Sequence, residues 1–272
     1  MTLFTIDTDR CDNDGLCAAD CPAQIIDMTD AGPAVKTGGE AFCIDCGHCV
    51  AICPKGAFTL NTLAPADCMP IDRKTQLDET QTEHFLRARR SIRQYKAKPI
   101  PRDLMNQVLE LAASAPTGSN RQSTRWLVME KKKDVQVVAG HVIDWMRYVI
   151  ANHPEVAQNF NMDRIVDQWE NGKDRITRNA PMLVFVYADK ANGSGAADCH
   201  TALAYLELAM PGFGLGSCWA GYVNYAAGQW PPLTQMINLP EGHAGHGALM
   251  VGYPGVRYAR APKRNEAQVT YF

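Results

Sequence analysis

Cysteine is the residue type with the most distinctive spacing in this chain of 272 residues. Residues 43–54 read C-x-x-C-x-x-C-x-x-x-C-P, with the thiols at Cys43, Cys46, Cys49 and Cys53. Three thiolates at this spacing can wrap around one cubane iron–sulfur cluster, and in two-cluster proteins the fourth cysteine ligates the other cluster. The run therefore predicts an iron–sulfur site and a partner motif elsewhere in the chain.

The partner motif occupies residues 11–22 with the same spacing, but Asp14 stands where the second cysteine belongs. Structural zinc is the alternative, although zinc sites pair two C-x-x-C knuckles across a longer loop and require neither the third cysteine nor the Cys-Pro. Crossed ligation divides the ligands into two sets. One set is Cys21, Cys43, Cys46 and Cys49, and the other is Cys11, Cys17 and Cys53, with or without Asp14.

The role of Asp14 is open at this point. A carboxylate oxygen is a harder ligand than a thiolate and suits this iron less well. The choices are a 4Fe–4S cluster ligated by Asp14, a cluster with water or hydroxide on the fourth iron, and a 3Fe–4S cluster. We favour the first, because residues 1–62 resemble two-cluster bacterial ferredoxins, some of which carry the same aspartate.

Composition narrows the class of protein. The chain is 46% hydrophobic with a net charge of −2, and the absence of an apolar run of about 18–20 residues predicts no membrane span. Residues 1–7 lack the basic start and apolar core of a signal peptide. Most of the ten cysteines belong to the two motifs, so we expect a reducing compartment, the cytoplasm. The charge pattern predicts no nucleic-acid partner.

Arginine supplies the second kind of chemistry. Arg89, Arg90 and Arg93 surround Ser91, directly after a helix expected from about residue 82. Guanidinium groups offer paired donors that match phosphate, and a serine hydroxyl adds another donor. The segment therefore predicts an anion site.

The expected elements position these residues. A polar loop at 115–122 offers amide side chains that can hydrogen-bond to a heterocycle. The glycine-rich segment 212–221 follows a helix and not a strand, which argues against a dinucleotide fingerprint; its glycines would let the backbone approach a flat ligand. The expected strands are 3–7, 57–61, 126–129, 182–188 and 248–253, and the expected helices begin near 82 and 101 and span 134–150 and 196–210.

Four segments in this order resemble the FMN-dependent nitroreductase family, namely residues 89–93, 115–122, 214–219 and 262–264. The resemblance covers about residues 83–272, and the whole chain resembles ferredoxin–nitroreductase fusions. It implies an α+β fold with a small ferredoxin-like two-cluster domain and a nitroreductase-fold domain, whose central sheet is flanked by helices in an intertwined homodimer. The implied domains are 1–62 and 83–272, joined by a linker at 63–82.

The resemblance also implies three groups of FMN-binding residues. Those for the phosphate and ring edge are Arg89, Arg90, Ser91 and Arg93, with Lys263 or Arg264. Those for the flavin of the other subunit are Pro116, Thr117, Gly118, Asn120 and Gln122. Those whose backbone amides face the flavin N5 and O4 edge are Leu215 and Gly216. No catalytic residue is assigned, and Cys218 and Trp219 are interpreted as core or pocket wall.

The expected function is that of an oxidoreductase passing electrons from 4Fe–4S clusters to FMN and on to a small nitro, quinone or other unsaturated acceptor. The donor would be a ferredoxin-type protein or NAD(P)H. Two alternatives stay open: an NAD(P)H-driven FMN reductase with sensory or structural clusters, and a non-enzymatic electron-transfer flavoprotein.

Overall fold

A computed structural model describes residues 2–272; Met1, the first residue of the predicted iron–sulfur domain, lies outside the described residues. The chain forms two compact units. The first contains the described residues up to Gln76 together with Ser119–Arg121, and the second contains Leu77–Gly118 and Gln122–Phe272. The boundary after Gln76 falls inside the stretch predicted as a linker.

Short elements build the first unit. In chain order they are β1 (Phe4–Ile6), α1 (Leu16–Ala19), β2 (Ile26–Thr29), β3 (Gly32–Val35), α2 (His48–Ile52) and β4 (Phe58–Leu60). The terminal strands β1 and β4 pair antiparallel, with Phe4 opposite Leu60. The hairpin of β2 and β3 was not predicted, because its four-residue strands lack a clear apolar alternation.

The second unit contains longer elements. Its helices are α3 (Glu79–Ala88), α4 (Arg102–Ala112), α5 (Lys132–Asn152), α6 (Pro154–Asn159), α7 (Met162–Glu170), α8 (Gly195–Ala209), α9 (Gly221–Ala227) and α10 (Pro231–Ile237). Its strands are β5 (Arg125–Met129), β6 (Met182–Asp189), β7 (Gly216–Trp219) and β8 (His243–Gly252). They form one antiparallel sheet in the order β5-β6-β8-β7.

The central strand β6 is apolar on both faces because helices cover both. Leu183 and Phe185 pack into the core that contains α5, whereas Val184 and Val186 pack into the core that contains α4 and α8. A strand that is buried on both faces has a continuous apolar sequence, and this pattern is why β6 could be predicted. The helix–sheet–helix arrangement confirms the predicted α+β class.

Three expectations about elements need correction. Helix α3 begins earlier than residue 82, because Asp78 and Gln81 form a reciprocal capping box. The segment 212–221 contains strand β7, which is stabilised by pairing with β8 although its Gly-Ser start is a poor strand former. Strand β8 begins at His243 and not at 248, because its first half is stabilised by pairing with β6.

None of the helices within residues 2–272 combines the length and the apolar character needed to cross a lipid bilayer.

Candidate functional site

The cysteines of the repeat line two cavities in the first unit. Cys21, Cys43, Cys46 and Cys49 line one cavity together with apolar residues such as Ile25 and Phe58. Cys11, Asp14, Cys17 and Cys53 line the other. These are the residues of the two predicted ligand sets. Within residues 2–272, no three His, Cys, Asp or Glu side chains are grouped as they would be around a single metal ion.

A glycine turn positions the third ligand of each motif. Gly15 and Gly47 precede α1 and α2 in the left-handed conformation, with φ of 75° and 72°. This conformation is costly for a residue with a Cβ atom, and a Cβ on Gly47 would also lie 2.6 Å from Leu63 Cδ2. The turn leads from the second ligand position directly into the helix that carries Cys17 or Cys49.

The chemistry of these side chains fits a bound iron–sulfur cluster. Burial raises the pKa of Cys17, and it raises the pKa of Cys49 to about 12. Such thiols lose their protons when a bound metal compensates the thiolate charge. Asp14 lines its cavity and also accepts a hydrogen bond from the Leu16 amide at 3.0 Å, so it helps to fix the start of α1.

The second unit contains an open cavity of about 750 Å³ with a cationic wall. Arg89 and Arg90 line it together with Leu215, Gly216 and residues of 254–258. A cavity of this volume is in the range of small-molecule and cofactor sites. Ser91 is half-buried next to these arginines, and the Ile92 amide donates to the Ser217 carbonyl at 2.8 Å, which fixes the segment beside β7.

Glu207 on α8 organises this wall, and the sequence interpretation missed it. Its carboxylate lies 3.5 Å from Arg89 and accepts hydrogen bonds from Ser217 Oγ at 3.2 Å and Trp219 Nε1 at 3.0 Å. The Glu207 side chain is 12% exposed. A largely buried carboxylate requires partners. A glutamate within a mostly apolar helix was therefore the sequence feature that could have pointed to Glu207.

The loop predicted to contact a flavin is held by a second carboxylate. The Gly118 amide donates to Asp198 Oδ1 at 2.9 Å, and a Cβ on Gly118 would lie 2.4 Å from Ser194 Oγ. Thr117 Oγ1 accepts from the Gln122 amide at 3.0 Å. Both contacts fix the backbone of the loop.

Other predicted flavin contacts are engaged elsewhere. Asn120, which belongs to the first unit, donates from its side-chain amide to the Asp45 carbonyl at 2.8 Å. The Leu215 amide donates to the Met210 carbonyl at 3.0 Å, and its contact with a flavin stays a prediction. Gly216 serves close packing, because a Cβ there would lie 2.4 Å from Ile92 Cγ1.

The remaining predicted residues are not gathered at this cavity. Arg93 lines a different cavity of about 340 Å³ together with Cys218 and Trp219. Pro116 and Gln122 are exposed. Lys263 and Arg264 are exposed in a C-terminal segment without helix or strand and do not line either of these two cavities.

The chain matches two family models. Residues 86–253 match the model of the Nitroreductase family, and residues 3–54 match the model of a 4Fe-4S dicluster domain. The chain therefore belongs to the nitroreductase family, with an iron–sulfur module at its N-terminal end. This confirms the predicted fusion and the prediction of an oxidoreductase enzyme of the nitroreductase type.

Individual relatives are distant. The chain is 27% identical to an iodotyrosine deiodinase of Thermotoga neapolitana over 67% of this chain and 93% of the relative. It is 26% identical to an FMN reductase [NAD(P)H] of Bacillus subtilis over 67% of this chain and 69% of the relative. A nitroreductase structure with bound FMN from Desulfitobacterium hafniense superimposes with a TM-score of 0.57 at 21% identity, covering 72% of this chain and 100% of that one.

Proposed function

We propose that the chain is a homodimeric iron–sulfur flavoprotein oxidoreductase that passes electrons from two clusters, through FMN, to a small nitro, quinone or other unsaturated acceptor. The observation that carries this proposal is the presence, in one nitroreductase-family chain, of two cysteine-lined cavities and a cleft with a cationic wall. Iron–sulfur clusters supply one-electron transfer, and FMN supplies two-electron chemistry, so the combination couples a one-electron donor to a two-electron acceptor.

The cysteines would hold the clusters in two crossed sets. Cys21, Cys43, Cys46 and Cys49 would ligate one 4Fe–4S cluster, and Cys11, Cys17, Cys53 and Asp14 would ligate the other. The apolar wall formed by Ile25, Ile26 and Phe58 limits access of water to the first set. Solvent exposure and hydrogen bonding are the means by which a protein sets a cluster potential.

Arg89 and Arg90 would bind the FMN phosphate. Glu207 holds the Arg89 guanidinium in place, and Asp198 holds the loop at Gly118. Support for FMN comes from the relative named as an FMN reductase and from the FMN-bound structure of the same fold. In an intertwined homodimer, the Gly118 loop of one subunit would complete the site at Arg89 of the other.

A donor experiment on the full-length, iron- and FMN-loaded protein tests the proposal. Cys46→Ser removes one thiol of the first set, and Cys68→Ser is the matched control, since Cys68 lines neither cysteine cavity. Under anaerobic conditions, a reduced ferredoxin-type protein should bleach the flavin absorbance. We expect the rate of flavin reduction to fall at least roughly tenfold in Cys46→Ser, which is the lower end of the effect of disturbing a metal site. In Cys68→Ser the rate should equal that of the wild type.

Equal flavin reduction in both variants would show that electrons do not pass through the first cysteine set. Photochemical reduction should bleach the flavin alike in both variants, because it acts on the flavin directly. Electron paramagnetic resonance of the oxidised protein also tests the second set, since a 3Fe–4S signal would mean that Asp14 does not hold a fourth iron.

One observation favours a second candidate function. The Bacillus subtilis relative is named as an NAD(P)H-dependent FMN reductase, so NAD(P)H could reduce the flavin directly while the clusters sense redox state or stabilise the first unit. In that case NAD(P)H would bleach the flavin at the same rate in Cys46→Ser and Cys68→Ser, whereas reduced ferredoxin would have no effect.

A further inference from the structure

Residues 119–121 form a short segment that belongs to the first unit, although its neighbours along the chain, Gly118 and Gln122, belong to the second. The segment lies within the polar loop 115–122, which the sequence predicted as a flavin-binding loop. The contacts of residues 119–121 therefore show to which part of the iron–sulfur module this loop is attached.

Asn120 attaches the segment to the first cysteine set. Its side-chain amide donates to the Asp45 carbonyl at 2.8 Å and to the Ile44 carbonyl at 3.4 Å. Ile44 and Asp45 are the two residues that separate the first two cysteines of the run 43–54. Ile44 also lines the cavity of that cysteine set. The loop is thus hydrogen-bonded to the backbone that carries two of the predicted cluster ligands.

Both partners in this contact have an unusual backbone conformation. Ser119 and Asn120 adopt φ of 51° and 52°, and Asp45 adopts φ of 55°. This left-handed conformation is uncommon for residues with side chains, so each turn depends on contacts that stabilise it. The Asp45 carboxylate accepts a hydrogen bond from the Thr62 hydroxyl. Side chain and carbonyl of Asp45 are therefore both engaged within the first unit, and the contact with Asn120 has a defined geometry.

The preceding residue of the loop is fixed within the second unit. The Gly118 amide donates to Asp198 Oδ1 at 2.9 Å. Consecutive Cα atoms are about 3.8 Å apart, so the Cα atoms of Gly118 and Asn120 lie within about 7.6 Å of each other. A flavin bound at Gly118 would therefore be joined to the first cysteine set by one continuous run of bonded and hydrogen-bonded atoms.

We propose that the first cysteine set of each subunit delivers its electrons to the flavin that its own loop 115–122 helps to bind. The inference rests on the proposed function, in which the phosphate of that flavin lies on Arg89 of the partner subunit. Electrons thus pass from one subunit to a flavin anchored by the other. In each round, two reduced donor proteins lose one electron each, and both electrons pass through the first set one at a time. They end on FMN together with one proton from solvent.

Two kinds of mixed dimer, isolated through two different affinity tags and loaded with iron and FMN, test this route. In the first, one subunit carries both Arg89→Ala and Cys46→Ser, and its partner is wild type. In the second, one subunit carries Arg89→Ala and the other carries Cys46→Ser. Both dimers contain the same two substitutions and keep one flavin site, formed by the loop of the Arg89→Ala subunit. Each preparation is therefore the matched control of the other.

Anaerobic reduction by a reduced ferredoxin-type protein, followed by flavin absorbance, separates the two dimers. The flavin of the first depends on the damaged cysteine set, so its reduction should be at least roughly tenfold slower than in the wild type. The flavin of the second should be reduced at the wild-type rate. Equal rates in the two dimers, or a faster rate in the first, would overturn the inference while the proposed function stands.

Other outcomes bear on the proposed function as well. Absence of reduction in the wild-type dimer would contradict the proposed function and the inference with it. Mixed dimers without FMN would contradict the shared flavin site on which the inference rests. Photochemical reduction should bleach the flavin alike in both mixed dimers, because it does not use the cysteine sets.

Asn120→Asp tests the part played by the hydrogen bonds. Aspartate has a similar size and tolerates the left-handed conformation, but its carboxylate has no donor for the two carbonyls. Ser119→Ala, at an exposed position of the same segment, is the control. We expect reduction by the ferredoxin-type donor to slow about 2- to 10-fold in Asn120→Asp, the equivalent of one hydrogen bond. FMN content, photochemical bleaching and the paramagnetic resonance of the clusters should not change.

Equal rates of reduction in Asn120→Asp and Ser119→Ala would contradict the assignment of Asn120 as a positioning residue. Loss of FMN from Asn120→Asp would also contradict it, because Asn120 would then serve the flavin directly.

Discussion

Glu207 holds three groups with a single carboxylate, and two of them belong to the cationic wall. Arg89, Ser217 and Trp219 all contact it, so its removal would leave an arginine and two hydrogen-bond donors without their partner. An ion pair with one partner removed is destabilising to the degree that it is buried. The exposed pair of Glu83 and Arg87 on α3 provides a comparison, because its side chains are 57% and 74% exposed.

Glu207→Ala should destabilise the second unit by about 2 kcal/mol, through the loss of hydrogen bonds at a largely buried position. For a unit of this size, that corresponds to a decrease in the thermal midpoint of about 4–8 °C. Glu83→Ala is the control and should change the unfolding free energy by less than about 1 kcal/mol, as exposed ion pairs do. Thermal unfolding followed by circular dichroism measures both. Equal effects of the two variants would show that the contacts of Glu207 stabilise the unit no more than an exposed ion pair does.

The sequence was most informative where a residue's chemistry depends on spacing alone. Ligand cysteines must lie at fixed intervals to reach one cluster, so the repeat was visible without a structure. The roles of Glu207 and Asp198 were not visible, because Arg89 and Gly118, which these carboxylates hold, lie in other segments of the chain. The hydrogen bond from the Leu215 amide to the Met210 carbonyl was not visible either, because a sequence does not show which carbonyl an amide reaches.

At the scale of elements, the loop 174–179 depends on one half-buried carboxylate, that of Asp174. Burial of Asp174 acts to raise its pKa, but the hydrogen bonds from Thr177, Asn179 and Gln136 together lower it below the usual value. A carboxylate whose folded pKa is depressed adds stability above its unfolded pKa and loses that contribution as pH falls through the folded value.

Asp174→Asn should therefore destabilise the protein by about 2–3 kcal/mol at pH 7, since one amide oxygen cannot accept all of these hydrogen bonds. The difference from the wild type should narrow as pH falls below the unfolded carboxyl pKa of about 3.9. Thermal midpoints between pH 7 and pH 3 measure this. Asp163→Asn, at an exposed position in the first turn of α7, is the control. A difference that stays constant across this range would contradict the assignment.

Strong periodicity decided which elements could be predicted. Helix α5 and strand β6 follow from their apolar patterns, because each buries a continuous surface. Strand β7 and the first half of β8 could not be predicted, since Gly216, His243 and Gly245 have little intrinsic preference for a strand. Pairing with neighbouring strands makes them extended.

At the scale of the whole molecule, the homodimer of the proposed function makes a prediction about mixed subunits. Arg89→Ala would impair the phosphate site of its own subunit, and Gly118→Val would displace the loop offered to the other subunit, since a side chain there overlaps Ser194. Dimers with one subunit of each kind, isolated through two different affinity tags, would keep one intact site of two. They should hold about half the FMN of the wild type by symmetry.

Dimers carrying Arg89→Ala in both subunits are the control and should hold little FMN. The flavin content of each preparation, measured by absorbance after denaturation, gives the answer. Mixed dimers without FMN would mean that Arg89 and the Gly118 loop serve a site within one subunit.

The pairing of β1 with β4 has a consequence for how the cysteine-bearing module can be connected to another domain. Phe4 lies opposite Leu60, and the Asn61 amide donates to the Leu3 carbonyl at 3.2 Å, so the chain enters and leaves the cysteine-bearing module at adjacent points. A module with neighbouring ends can be joined to, or inserted into, another coding sequence without stretching either partner. Fusion of such a module to another domain therefore requires only a short connecting peptide.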